Sequence, residues 1–335
     1  MKRLIDEKQN QYKANLHCHT VLSDGRWTPQ QVKDEYKKRG YSVIAITDHE
    51  RLVDHSDLND EEILFLTAYE AYIRDVPVDY IYSSQIHLNL YSRTPQNKMV
   101  YYTPNLTKYI PEEEKELLQY YKLVENRNRS TEFIKKMIAD AKKYGYIVCH
   151  NHPTWSFENT DVAENYDECF AMEIYNHSNY QAGHFEYNQH YYDFQNNRGL
   201  TMGVIAADDN HDKYPVDDPK NDSFGGVTYI LADKLEYDSI ISALENKNFY
   251  ASTGPRIYSL YAENGTLTVK TSEAERIIFV TNGRHRKVEI ARKGEMVDFA
   301  TFEPSREDKW VRVEVVDNQG KRAFTRAYRP QEIFG

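Results

Sequence analysis

The sequence predicts an α/β chain, built as an open sheet or a barrel, that ends in a small β-rich tail. Three observations point there. From about residue 14, short apolar strands alternate with amphipathic helices, the pattern of parallel pairing. After Gly254-Pro255 the helices stop, and strand-like runs follow, separated by Asn-Gly turns at Asn264 and Asn282. The chain has 335 residues, 40% of them hydrophobic, enough for one large domain and a smaller one.

In order, the first strand reads Asn15-Leu16-His17-Cys18-His19, and a helix opens at Thr28-Pro29 and stops at Gly40. Val43 to Thr47 is β-branched and short enough to be a buried strand. Further strands are expected at Ile63 to Tyr69, Tyr80 to Tyr91, Tyr146 to Cys149, Ala171 to Tyr175 and Met202 to Ala206. Helices fit Ser130 to Gly145, Glu186 to Gly199 and Tyr237 to Asn248. Arg93 to Arg129 breaks the rhythm: it is polar, punctuated by proline and carries a short acidic helix near Pro111 to Val124. It reads as an insertion over the rim. In the tail, Leu267 to Lys270, Ile277 to Thr281, Lys287 to Ile290 and Val311 to Val316 suggest a small β-sandwich. The division is therefore residues 1–255, with an insertion at about 93–129, and residues 256–335.

A formal net charge of -10 argues against a protein that grips long nucleic acids through a basic surface. A small anionic substrate is compatible with it, because bound cations reverse the local field. Cys18, Cys149 and Cys169 form no C-x-x-C pair and suggest a reducing compartment. The start lacks the apolar stretch of a signal peptide, and no run of about 18 apolar residues suggests a membrane span. A cytoplasmic location is the expectation.

The candidate chemistry collects at strand ends. His17 and His19, two apart, project to one side of a strand while Cys18 points to the other. Val43 to Thr47 runs into Asp48-His49, Ile63 to Tyr69 into Glu70, Tyr146 to Cys149 into His150-Asn151-His152, and Met202 to Ala206 into Asp208-Asp209-Asn210-His211. His87 lies on the strand after Glu70. Each has an ordinary reading: His-x-His as strand packing, Asp-His as turn chemistry, Glu70 as an exposed carboxylate, Asp-Asp-Asn-His as a polar loop. What counts is that they converge on one end of the strands, the active face of α/β barrels. A histidine and carboxylate mix there suits Zn, Mn or Fe. His177, His184 and His190 read equally well as surface residues, and Cys18 and Cys149 as packed thiols.

Leu16-His17-Cys18-His19-Thr20, Ser23-Asp24-Gly25, Ile46-Thr47-Asp48-His49, Glu70, His87, His152-Pro153 and Asp209-Asn210-His211 together resemble the polymerase and histidinol phosphatase (PHP) family, over roughly residues 12 to 255. The likeness is to members with a β-rich extension after a Tyr-Ala-Ser-Thr-Gly-Pro segment, here Tyr250 to Pro255. It implies a distorted (β/α)7, TIM-like barrel holding two or three divalent ions (Mn, Zn or Fe). By the resemblance one metal takes His17, His19, Glu70 and Asp209. Glu70 bridges to a second, also held by His87 and His152, and a third takes Asp24, His49 and His211. Some members place a histidine where Asp24 stands. Asp48 would orient a ligand, and His150 is the nearest rival for the place of His152.

The expected activity is phosphate-ester hydrolysis of a small phosphorylated substrate or nucleotide, by a metal-bridging hydroxide attacking in line. Asp48 and His184 are candidate catalytic residues. Arg26, Asn176 and Arg256 are candidates for substrate binding, with Arg51 and Lys213 behind them. Two alternatives stay open: hydrolysis of an amide or lactone at a similar cluster, and a carbohydrate- or partner-binding protein using the tail.

Overall fold

The computed structural model describes residues 1–74, 84–103, 106, 108–159 and 164–335. The first part of Tyr80 to Tyr91 lies outside them; its remainder forms the strand Ile86–Ser92. Thirteen strands of the described residues form one mixed sheet. Its order begins Gly203–Ala207, Ala171–Asn176, Tyr146–His150, Ile86–Ser92, Leu64–Ile73, Val43–Ile46, Asn10–Asn15. It continues through Val227–Ala232 and Phe249–Ser252 into the tail strands.

The strand expected at Asn15 to His19 is Asn10–Asn15, preceded by Lys2–Ile5, so His17 and His19 lie just past it. Pairing is parallel from Asn10–Asn15 through Val43–Ile46 to Leu64–Ile73. It turns antiparallel on both sides of Ile86–Ser92, where uniform parallel pairing was expected. Twelve residues join Leu64–Ile73 to Ile86–Ser92, the lower limit of a parallel crossover, so an antiparallel return is favoured.

The sheet is strongly curled. One buried cluster gathers Ala14, Leu16, Val43, Ala45, Leu66, Cys149, Ala171, Ile205 and Ile230, so strands far apart in the order enclose a common interior. The curl brings Gly203–Ala207 back to the first strand. His19 N donates to Asn210 O (3.0 Å), Asp209 N donates to His17 O (2.9 Å), and Thr228 Oγ1 bonds both the N–H and the carbonyl of Ala206. These contacts join the ends locally. No continuous ladder closes a (β/α)7 barrel among the described residues.

Helices cover the outside. Pro29–Lys37 starts in a capping box, Thr28 bonding Gln31 N and Gln31 bonding back to Thr28 N, and buries Val32 and Tyr36 on Ile44 and Phe65. Thr131–Lys143, capped by Ser130, buries Phe133, Ile134, Met137 and Ile138 against Val148 and Met172. Within the insertion, Glu112–Tyr121 follows Pro111, and Val100–Tyr102 pairs in parallel with Lys122–Val124.

The tail forms two antiparallel layers around one core of Leu260, Val269, Phe279, Ala300, Val313 and Ala323. It is stitched to the rest of the chain. Lys2–Ile5 pairs with Ile257–Glu263, Phe249–Ser252 pairs with Arg322–Phe324, and the buried Arg312 guanidinium grips both oxygens of Asp193 at 2.6 and 2.9 Å. No described helix is long and apolar enough to cross a membrane.

Candidate metal centre

The chain delivers its candidate ligands to one rim. His17, His19, His49, His152, Asp209 and His211 follow the C-terminal ends of parallel strands. Glu70 lies inside a strand longer than expected, Leu64–Ile73, and bridges to His49. His87 is the second residue of Ile86–Ser92, near its N-terminal end. Because that strand runs antiparallel, its beginning reaches the same rim, with His87 opposite Tyr72 and Asn89 opposite Glu70. Gly25 is required where it stands: a Cβ there would come within 2.5 Å of His19 O, blocking the turn that brings Asp24 back to the cluster.

Glu70 is the hub. Its Oε1 lies 3.0 Å from His87 Nδ1, 3.2 Å from His17 Nε2 and 3.5 Å from His152 Nε2, and accepts a bond from Asn151 Nδ2 (2.9 Å). Its Oε2 lies 2.7 Å from His49 Nδ1 and 3.5 Å from His19 Nε2. Asp209 Oδ1 is 2.9 Å from His19 Nε2 and 3.1 Å from His17 Nε2. Asp24 Oδ1 is 3.4 Å from His211 Nε2 and 3.5 Å from His49 Nε2. Ligand-type atoms thus fall into three compact sets: His17, His19 and Glu70; Glu70, His87 and His152; His19, Asp24, His49 and His211. His19 belongs to two of them, whereas the family pattern gives it to one.

Hydrogen bonding alone leaves this arrangement unsatisfied. His49 Nδ1 and Glu70 Oε2 approach to 2.7 Å, yet both are buried without a hydrogen bond, and so is His87 Nε2. His17 and His19 turn their Nε2 atoms toward each other at 3.2 Å. Lone pairs aimed at common points are what a bound cation satisfies, so the donor set fits divalent metal.

Charge follows the same logic. Burial disfavours the charged Glu70, but His87, His17 and His49 outweigh it and hold its pKa well below the usual carboxylate range. Burial disfavours charge on His152 and His211 too, but hydrogen bonds to Glu70 and to Asp24 lift them to about 9. His17 is raised against burial by Asp209, Glu173 and Glu70.

The cavity above the cluster holds about 450 Å³. Asp24, His49, Glu70, His87, His152, Asp209 and His211 line it together with the aromatic Tyr72, Tyr109 and Trp155, and Lys108 and Lys213 are the lysines among the described lining residues. Lys108 and Tyr109 come from the insertion, whose Glu112–Tyr121 helix is tied to the segment after His49 by Arg51 and Glu114 (2.6 Å).

The remaining candidates sit elsewhere or act indirectly. Asp48 accepts from Thr20 N (2.8 Å), Thr20 Oγ1 (2.7 Å) and Ser23 Oγ (2.5 Å), which fixes the turn between His19 and Asp24. Asn176 is fully buried and donates to Glu173 and Asp209, so it serves the protein side of the cluster. Arg26 is exposed, and His184 packs near Phe157; neither is among the described residues lining the cavity. Arg256 is held by Gln11 Oε1 (3.0 Å) over the Tyr229 ring, at the junction with the tail. Arg51 is engaged by Glu114 and Leu22 O. His150, the rival of His152, turns away to bond Glu158 (2.8 Å) and stack on Tyr166. His177 bonds Tyr175, and burial pulls its pKa down to about 4.

Glu173 was not singled out in the sequence, and Asp208 was seen only as part of Asp208-Asp209-Asn210-His211. Glu173 contacts His17, the His152 backbone and Asn176. Asp208 accepts three backbone N–H groups, from Phe224, Gly225 and Gly226, and the Tyr36 hydroxyl; burial lifts its pKa to about 7. A charged residue inside an apolar strand run, as in Ala171-Met172-Glu173-Ile174, was the available signal.

No family model matches the chain, and no curated protein matches it. Among solved structures, a two-domain protein from Bacteroides vulgatus, said to contain a predicted PHP-like metal-dependent phosphoesterase, is 15% identical with a TM-score of 0.44 and 98% coverage of both chains. A Bifidobacterium adolescentis protein provisionally named a metal-dependent phosphoesterase is 15% identical with a TM-score of 0.42, covering 72% of this chain and 97% of its own. An amidohydrolase from Chromobacterium violaceum, with bound sulfate and no metal, is 14% identical with a TM-score of 0.39, covering 59% and 87%. The chain is similar to these proteins.

Proposed function

We propose that this chain is a metal-dependent phosphoesterase of the PHP type, hydrolysing a phosphate ester of a small molecule at a trinuclear centre. The observation that carries the proposal is the convergence on Glu70 of five imidazoles, with buried lone pairs that hydrogen bonding leaves unclaimed.

His17, His19, Glu70 and Asp209 would hold one ion, Glu70, His87 and His152 a second, and Asp24, His49 and His211, with His19 adjoining, a third. Divalent ions supply positive charge for phosphoryl oxygens and acidify bound water. Around them the chain's own residues set the terms. Asn176 and Asn151 donate to Asp209 and Glu70, fixing which carboxylate oxygens remain free. Asp24, Glu70 and Asp209 face Lys108, Lys213 and the imidazoles across the cavity, and bound divalent ions would add the positive charge that an anionic substrate needs. Lys108 and Lys213 would then draw the phosphate in, and Trp155, Tyr109 and Tyr72 would flank the esterified group. The cavity's volume suits a mononucleotide or sugar phosphate.

The test is a phosphorylated-metabolite screen of the chelated and the manganese-loaded protein. Turnover should appear only with metal and vanish in the His17→Ala/His19→Ala variant. Undiminished turnover by that variant would discard the mechanism.

A further inference from the structure

We infer that Glu173 is the positioning residue that sets the geometry of the metal centre. The inference rests on metal binding at this cluster. Glu173 sits mid-strand in Ala171–Asn176, fully buried. Its Oε1 lies 2.6 Å from His17 Nδ1. Its Oε2 accepts from His152 N (3.0 Å) and from Asn176 Nδ2 (2.9 Å), and Asn176 also donates to Asp209 Oδ2 at 3.0 Å. One carboxylate thus touches two ligand-bearing segments directly and reaches a third through Asn176, without facing the cavity.

Each contact has a consequence. A carboxylate only accepts, so its bond to His17 requires the proton on Nδ1 and leaves the Nε2 lone pair facing Glu70 and Asp209. The bond to His152 N holds a residue whose φ is +23°, a conformation a non-glycine residue rarely adopts unaided. The path through Asn176 fixes the Asp209 carboxylate, whose own φ is +54°. Three donors meet two oxygens, so an amide cannot replace the acid: one end of a glutamine would point N–H at N–H.

The prediction is that Glu173→Gln binds metal about 10- to 100-fold more weakly, the usual cost of losing a partner behind a ligating histidine. Zinc is titrated calorimetrically into the full chain after chelation, for wild type, Glu173→Gln, His17→Ala and the double variant. Far-UV circular dichroism reports the metal-free fold. Weaker binding by folded Glu173→Gln, with a double-variant loss smaller than the product of the single losses, supports positioning through His17. Unchanged affinity in folded Glu173→Gln, or fully multiplicative losses, overturns it. Should Glu173→Gln not fold, 15N-histidine spectra of zinc-loaded wild type decide: His17 protonated at Nδ1 and ligating through Nε2 supports the assignment, and ligation through Nδ1 refutes it. Wild type that takes up no zinc removes the metal centre itself, a failure distinct from that of Glu173.

Discussion

Glu70→Gln keeps the shape of the side chain and removes its charge. The structure fixes how much should be lost. Glu70 belongs to two of the three ligand sets, while His19, Asp24, His49 and His211 form the third without it. An amide also turns an N–H toward imidazole nitrogens now 2.7 to 3.5 Å from the carboxylate oxygens. Metal content should therefore fall from about three ions per chain to about one, and Asp24→Asn should instead lose about one. Losing charge stabilisation worth several kcal/mol lowers kcat by roughly 10³-fold or more. The assay is elemental analysis after dialysis against manganese, paired with turnover of the best substrate from the screen. Equal losses in Glu70→Gln and Asp24→Asn would refute the argument, because Glu70 would then not be shared.

Four further outcomes are expected. His152 and His211 rise to about 9 in the metal-free protein, so their stabilisation is complete below about pH 6.5 and lost as pH climbs through 9; chelated protein should melt progressively lower across that window. The same protons compete with metal, so calorimetry in buffers of different ionisation enthalpy should show proton release at pH 7 and tighter binding at higher pH. Lys213→Met should raise KM about fivefold at low salt with kcat unchanged, whereas Arg256→Ala, remote from the cavity, should leave both unchanged. Asp193→Ala should cost about 2 kcal/mol in denaturant unfolding and leave metal content intact, since it removes two charged hydrogen bonds from the buried Arg312 at the junction with the tail and leaves it Glu314.

Much of the site was legible because its residues sit next to apolar strand runs, where position along the chain translates directly into position on the rim. His17, His19, His49, His152, Asp209 and His211 could be placed this way. Glu70 and His87 were found for an incomplete reason: one lies inside its strand, and the other starts a strand that runs the opposite way. That reversal was readable in the shortness of the link, twelve residues from Ile73 to Ile86. Closure of the curl was not, since it depends on contacts such as His19 N to Asn210 O between residues nearly two hundred apart. Arg26 and Arg256 were chosen for charge near a motif, and charge alone says nothing of direction; of the cations singled out, Lys213 lines the cavity, joined by Lys108, which was not. Tyr72, Tyr109 and Trp155 escaped notice because aromatic residues are plentiful in this chain, with 28 tyrosines. The tail strands were recognisable, but their union with Lys2–Ile5 was invisible to any local pattern.

Anomalous diffraction from manganese-saturated crystals asks most directly whether cations occupy this rim. Peaks on both sides of Glu70, one bounded by His17 and His19 and another by His87 and His152, are the expected result. Protein soaked to saturation that shows no anomalous density within reach of Glu70 would contradict the account.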